Sequence, residues 1–315
     1  MKKVIIFASI FIAIILGITA FYINNILNKI QNNNTNIKIE DKTNNNEQNV
    51  VKKENNLINI VLFGIDARNL KSPSRSDSII ILSINSETKK IKLISLMRDM
   101  FVEIPGKNKN RINAAYAFGG PELAIKTINH NFDLGISKYV TINFYGFEKV
   151  IDNIGGVEID VKKDEIKYIN SYMKETQNLF GGEYKEITNE GRQLLNGRQA
   201  LAYSRIRYVG NADYERTERQ RRVLTQIFNK VKSQGTTKKI SLINSILPYI
   251  ETNLSKNEII NLAYLITNLN EYKIEELRIP VDKSFKSERI NGMAVLVPDL
   301  DVNKNKIHEF IGTVH

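Results

Sequence analysis

From Val4 to Ile23 the chain runs twenty residues without a charged side chain, long enough to cross the hydrocarbon core of a bilayer. A cleaved signal would have a shorter apolar stretch and a small-residue exit. Here Ile18-Thr19-Ala20 matches that exit poorly and Phe21-Tyr22-Ile23 prolong the run. Residues 1–23 are therefore read as a short cytoplasmic tail and an uncleaved anchor. Lys2 and Lys3 orient it as a single-pass span of the cell membrane, with the body extracellular. Between Asn24 and Asn56 the composition collapses to Asn, Lys, Gln and Glu, with Asn runs at 32–34 and 44–46. Such a stretch buries too little to fold, so 24–56 is expected to be a disordered linker and 57–315 the folded body.

Charge narrows what that body does. The chain carries 45 Lys and Arg against 34 Asp and Glu, and the excess persists beyond residue 56 as 38 basic against 30 acidic groups. A nucleic acid, an anionic membrane or a phosphorylated substrate would each suit it. Cysteine is absent, which excludes disulfides, thiolate metal sites and a thiol nucleophile. Three histidines, two of them in the last eight residues, leave little for a zinc hydrolase or a Ser-His-Asp triad.

Three apolar, β-branched runs read as strands: 57–63, 78–84 and 92–97. If consecutive strands pair antiparallel, the first ends where the second begins and the third returns to the same edge. Asp66, Asp77 and Arg98 then converge. Two carboxylates and a guanidinium at the mouth of a buried sheet are costly unless they hold something. The basic loop containing Arg75 should lie over that edge. Further helices at 122–132 and 147–154, and strands at 139–144 and 157–161, give an α/β class with a mixed central β-sheet sandwiched by helices.

Six of the fourteen arginines fall between Arg205 and Arg222. An extended reading of 200–207 puts Arg205 and Arg207 on one face with Ile206 behind. After Gly210, Asp213 is placed to cap a helix to about Val231, where Arg216 and Gln220 share a face with it. Arg219, Arg221 and Arg222 read as solvated or paired with Glu215 and Glu218. The tail reads as amphipathic segments, then a strand at 293–297 and a helix at 300–311, with no separate catalytic module.

These residues resemble a known family, the LytR-CpsA-Psr proteins of bacterial cell-wall assembly. The matching stretches include Gly64-Ile65-Asp66-Ala67-Arg68, Arg75-Ser76-Asp77, Arg98-Asp99, Arg111-Ile112-Asn113 and Gly155-Gly156. They continue through Leu195-Asn196-Gly197 and Tyr203-Ser204-Arg205-Ile206-Arg207 to Asp213-Tyr214-Glu215-Arg216 and Arg219-Gln220. They run in the expected order over residues 57–224. Met97 stands where the family usually has proline. The resemblance implies a membrane-anchored α/β/α phosphotransferase. It would move an anionic glycopolymer from a polyprenyl-pyrophosphate carrier to peptidoglycan, with a Mg2+ or Mn2+ ion and an apolar channel for the lipid.

On that reading Asp66 and Asp77 are the metal ligands, and Asp77, Arg98 and Arg205 the catalytic residues. Arg75, Arg111, Arg207, Asp213, Arg216 and Gln220 bind substrate. Arginines suit a pyrophosphate because they stay charged and match its oxygens bidentately. The expected partners are the lipid-linked donor, the peptidoglycan acceptor and membrane lipid, and no nucleic acid, since no reading motif occurs. Three alternatives stand on the residues alone. Asp66 could cap a loop, Asp77 could serve a structural ion pair, and Arg111 could cap a turn. Two functional alternatives also stand: a polyprenyl-pyrophosphate hydrolase and a non-catalytic wall-polymer binder.

Overall fold

The computed structural model describes residues 31–32, 37, 57–67, 70, 74–210 and 213–312. The expected anchor at 1–23 lies outside the described residues. Among the described residues no helix is long and apolar enough to cross a membrane.

A seven-stranded mixed sheet forms the centre, in the order β1-β10-β7-β2-β3-β4-β11. The strands are β1 (Gln31–Asn32), β2 (Leu57–Ile65), β3 (Ser76–Asn85), β4 (Lys90–Leu96), β7 (Lys138–Asn143), β10 (Ile250–Thr252) and β11 (Lys273–Ile279). β2, β3 and β4 pair antiparallel, whereas β7 and β11 lie parallel to β2 and β4. Three ribbons stand apart: β5 (Phe101–Val102) with β6 (Asn110–Arg111), β8 (Val157–Val161) with β9 (Gly191–Leu195), and β12 (Phe285–Ile290) with β13 (Met293–Pro298).

Alternation along the strands sends side chains to two cores, as the pleat requires. Phe63, Ile79, Ile81 and Ile94 pack beneath α1 (Ala114–Phe132) and, with Ile307 and Ile311, beneath α8 (Leu300–Ile311). On the opposite face Ile80, Ile84, Ile91 and Leu93 meet α2 (Phe144–Asn153), α3 (Lys163–Phe180), α4 (Gly197–Arg205) and α5 (Asp213–Lys232). α6 (Thr236–Ile246) and α7 (Lys256–Thr267) complete that layer beside β10. The expected sandwich of a mixed sheet between helices is what the chain forms.

Two local expectations give way, and a third is sharpened. Part of the segment expected to be a disordered linker is structured: Gln31–Asn32 pair parallel with Glu251–Thr252, and Ile37 is buried in the core. The exposed edge of β10 offers backbone groups that a passing chain satisfies. Residues 200–205, expected as extended, are helical. Asn196 accepts from Gln199 N at 2.9 Å while Gln199 Oε1 accepts from Asn196 N at 3.0 Å, a capping box that starts α4. Of the two readings of Arg219 and Arg222 the paired one holds, with Glu215 3.8 Å from Arg219 and Glu218 2.8 Å from Arg222, but Arg219 is only 1% exposed and has a shorter partner across the layer, Glu165 of α3 at 2.8 Å.

Candidate active site

The antiparallel order brings Asp66, Asp77 and Arg98 to one edge of the sheet. β2 ends beside the start of β3, with Ile65 opposite Ser76, and β4 returns with Ser95 opposite Ile80. Arg98 Nη1 lies 2.5 Å from Asp77 Oδ1, and Arg207 Nη2 approaches the same oxygen at 3.8 Å. Behind them buried Asp99 holds Arg98 Nε at 3.5 Å and Arg111 Nε at 3.2 Å. Met97 occupies the position of the family proline, and its N–H donates to Ile279 O at 2.8 Å. A proline would lack that bond.

Below this edge a cavity of about 400 Å³ runs between the sheet and the helical layer. Its depth is apolar, with Leu62, Ile80, Val140, Val150, Leu224 and Ile227 in its walls. Its mouth carries Asp66, Asp77, Glu175, Arg205, Arg207 and Arg216. Partial burial raises the Asp66 carboxyl above the ordinary aspartate range. Arg205 and, more weakly, Arg207 oppose that rise, while Asp77 and Glu175 add to it.

Arg205 is the most constrained cation of the mouth. It leaves the end of α4, which packs so closely on α2 that a Cβ on Gly197 would sit 2.2 Å from Glu148 O. Its guanidinium lies between the Phe144 and Tyr172 rings, 4.9 and 4.8 Å from their centroids. Nη1 donates to Thr176 Oγ1 at 3.2 Å and Nη2 to Glu175 Oε1 at 2.9 Å. Stacking and hydrogen bonds together fix the plane of the fork.

The expected site residues thus divide. Asp66, Asp77, Arg205, Arg207, Arg216 and Gln220 line one cavity, and Arg98 bonds to it through Asp77. Arg111 lies on the other side of Arg98, donating to Ala294 O at 3.1 and 2.7 Å. Arg75 is exposed and lines none of these walls. The side chain of Asp213 lies outside the described residues. Sequence reasoning missed Phe144, Tyr172, Glu175 and Thr176. Three of these share one side of α3, at 172, 175 and 176, and the helical spacing of that segment is the signal that could have found them.

The LytR_cpsA_psr family model matches residues 20–309. The chain belongs to the LytR-CpsA-Psr family. One relative, regulatory protein MsrR of Staphylococcus aureus, is 31% identical over 82% of this chain and 76% of its own length. Another is the polyisoprenyl-teichoic acid–peptidoglycan teichoic acid transferase TagU of Oceanobacillus iheyensis, 32% identical over 82% of this chain and 77% of its own. Among solved structures, the family protein YwtF (TagT) of Bacillus subtilis with bound octaprenyl pyrophosphate lipid superposes with a TM-score of 0.62. It is 25% identical, over 89% of this chain and 98% of that one. In this LytR-CpsA-Psr protein, then, a narrow apolar cavity lies beneath a ring of guanidiniums and carboxylates.

Proposed function

We propose that this protein transfers an anionic glycopolymer from a polyprenyl-pyrophosphate carrier to peptidoglycan. The carrying observation is the cavity: apolar in its depth, where a prenyl chain is desolvated, and ionic at its mouth, where a pyrophosphate is held. A hydroxyl of the acceptor sugar attacks the phosphorus next to the glycopolymer. A new P–O bond forms there, the pyrophosphate P–O bond breaks, and polyprenyl phosphate leaves with the electron pair. The hydroxyl proton passes to a carboxylate at the mouth or to solvent. Phosphoryl transfer of this kind needs positioning and charge neutralisation rather than a covalent nucleophile.

Arg205 and Arg207 grip the pyrophosphate, Arg98 neutralises the transferring phosphoryl group, and Arg216 and Gln220 close the side. Asp66 and Asp77 would hold a magnesium or manganese ion: among the described residues no group of three or more metal-ligating side chains occurs, but these two are hard-oxygen donors at one mouth, and magnesium commonly takes one or two carboxylates alongside substrate phosphates. When bound, such an ion stabilises charge on the phosphate oxygens. Residues 1–23 would anchor the chain in the cell membrane, keeping the mouth outside and near its lipid donor.

The test is full-length protein in detergent, given a polyprenyl-pyrophosphoryl oligosaccharide and uncrosslinked peptidoglycan strands. Phosphodiester-linked product, lost on chelation and restored by Mg2+, is expected. Polyprenyl phosphate released at the same rate without acceptor would instead make the protein a hydrolase. No turnover with any wall-type donor would leave it a binding protein.

A further inference from the structure

Behind the Asp77–Arg98 pair lies a second concavity, open to solvent and about 1330 Å³ in volume. It is separate from the lipid cavity but shares Arg207 with it, and the Asp77–Arg98 bond forms part of the partition. Its inner wall is the Arg98–Asp99 segment and Arg111. Its outer wall is the β12–β13 hairpin. The hairpin is tied to the inner wall by Leu296 N donating to Asp99 O at 3.0 Å and by the Arg111 bonds to Ala294 O.

We infer that this groove is the acceptor site, taking a glycan strand that carries both hydroxyls and carboxylates. The inference rests on the proposed transfer reaction and adds to it where the second substrate lies. Three observations carry it. In-line displacement places the attacking oxygen opposite the leaving oxygen. If polyprenyl phosphate departs into the apolar cavity, the hydroxyl arrives from the far side of the Asp77–Arg98 partition, which is the groove. The volume of about 1330 Å³ is roughly a hundred times the ~10–15 Å³ that one water needs, and suits a run of sugar rings.

The lining also has the required chemistry. Arg98, Arg111, Arg207, Arg221, Arg278 and Arg289 face it, interspersed with carboxylates such as Glu215, Asp282 and Glu288. Mixed charge of this kind matches a peptide-bearing glycan, which presents carboxylates and ammonium groups along one strand. Tyr214 lies in the wall, its ring holding the Arg278 guanidinium 4.3 Å from the centroid and packed by Phe285 at 5.7 Å, which fixes Arg278 in the groove. Arg221 Nη1 and Arg278 Nε are buried without a hydrogen-bond partner among the described residues. Burial also lowers the Arg221 pKa, with Glu276 opposing that shift and Arg278 reinforcing it, so an incoming carboxylate would relieve the site.

The experiment measures binding apart from turnover. Full-length protein in detergent is titrated into an end-labelled, uncrosslinked peptidoglycan strand, with fluorescence anisotropy as the readout. Arg289→Glu, on the exposed hairpin, is expected to weaken binding about tenfold, and the neighbouring Glu288→Lys to tighten it about threefold. Opposite signs from adjacent positions separate a charge effect from damage to the hairpin. The inference is overturned if both variants bind like wild type, if both weaken alike, or if the change falls on donor affinity instead. Strand binding with these signs but no phosphodiester product would uphold the groove and sink the transfer reaction. Transfer with an unaltered acceptor affinity in both variants would do the reverse.

Discussion

Replacing Arg205 by lysine keeps the charge and removes the plane. The guanidinium is stacked between Phe144 and Tyr172 and bonded at its edge to Thr176 and Glu175, so its remaining donors are held in one orientation toward the cavity mouth. An ammonium reaches a phosphate oxygen as a point contact, and exchanging a two-bond grip for one costs about 1.5–3 kcal/mol. Loss of pre-orientation adds to this, giving about 3 kcal/mol in the transition state, or about two orders of magnitude in kcat/KM. The two ring contacts are worth about 1–2 kcal/mol together to the resting fold, so the melting temperature should fall by about 3–6 °C. Initial rates of phosphodiester formation at subsaturating donor, with a thermal scan of the same preparation, measure both quantities. A variant that melts lower as calculated yet turns over within threefold of wild type would refute the reasoning, because charge alone would then suffice.

Narrowing the lipid cavity should discriminate by chain length. Leu224→Trp displaces at least two methylenes of prenyl chain at about 0.8 kcal/mol each, so a long-prenyl donor should lose about tenfold in affinity while a short-prenyl donor is spared. Glu165→Gln leaves the Arg219 cation in a wholly buried place, and calorimetry should show about 3 kcal/mol of destabilisation, or about 6–12 °C. Tyr116, buried and bonded to Thr141, has its pKa pushed up to about 12 by burial, Thr141 pulling the other way. The unfolded chain loses that proton first, so the contribution is complete below about pH 10 and is lost as pH rises toward 12. Denaturant melts should show wild type losing about 2–3 kcal/mol more than Tyr116→Phe across that window.

What the sequence made legible was the part governed by short-range pattern. Alternating apolar strands with charges at their ends were enough to place Asp66, Asp77 and Arg98 at one edge, because antiparallel neighbours leave little topological choice. The reading of 200–207 as a strand failed although its corrective signal, Asn196 with Gln199 three residues on, was in plain view. With the helix missed, the shared face expected for Arg205 and Arg207 was the wrong reason for their meeting at one mouth. Helical spacing offers Arg219 its Glu215 partner but not its closer one, because Glu165 is 54 residues away. Arg221, read from the sequence as solvated or paired within its own helix, instead pairs with Glu276 of β11 and lines the groove. Long-range pairing of this kind leaves no local trace, which is also why the hairpin at 285–298 seemed to carry nothing.

Charge accounting at the mouth leads to a last prediction. Three carboxylates, Asp66, Asp77 and Glu175, face three guanidiniums, Arg205, Arg207 and Arg216, and Arg98 adds one further positive charge through Asp77. A pyrophosphate diester brings two negative charges, so the filled mouth would be left one negative charge in excess, and partly buried excess charge is costly. The proposed divalent ion more than offsets this. Glu175→Gln removes one carboxylate without altering the side-chain volume, and so should lessen the need for the ion. Glu175 is about half exposed, so its repulsion of the donor is screened to about 1 kcal/mol, or about fivefold in affinity. In chelated buffer the variant should therefore bind a polyprenyl-pyrophosphoryl donor about fivefold more tightly than wild type, as measured by equilibrium titration. Weaker binding would mean that the hydrogen bond from Arg205 outweighs the repulsion, and that Glu175 serves to hold the arginine rather than to set the charge.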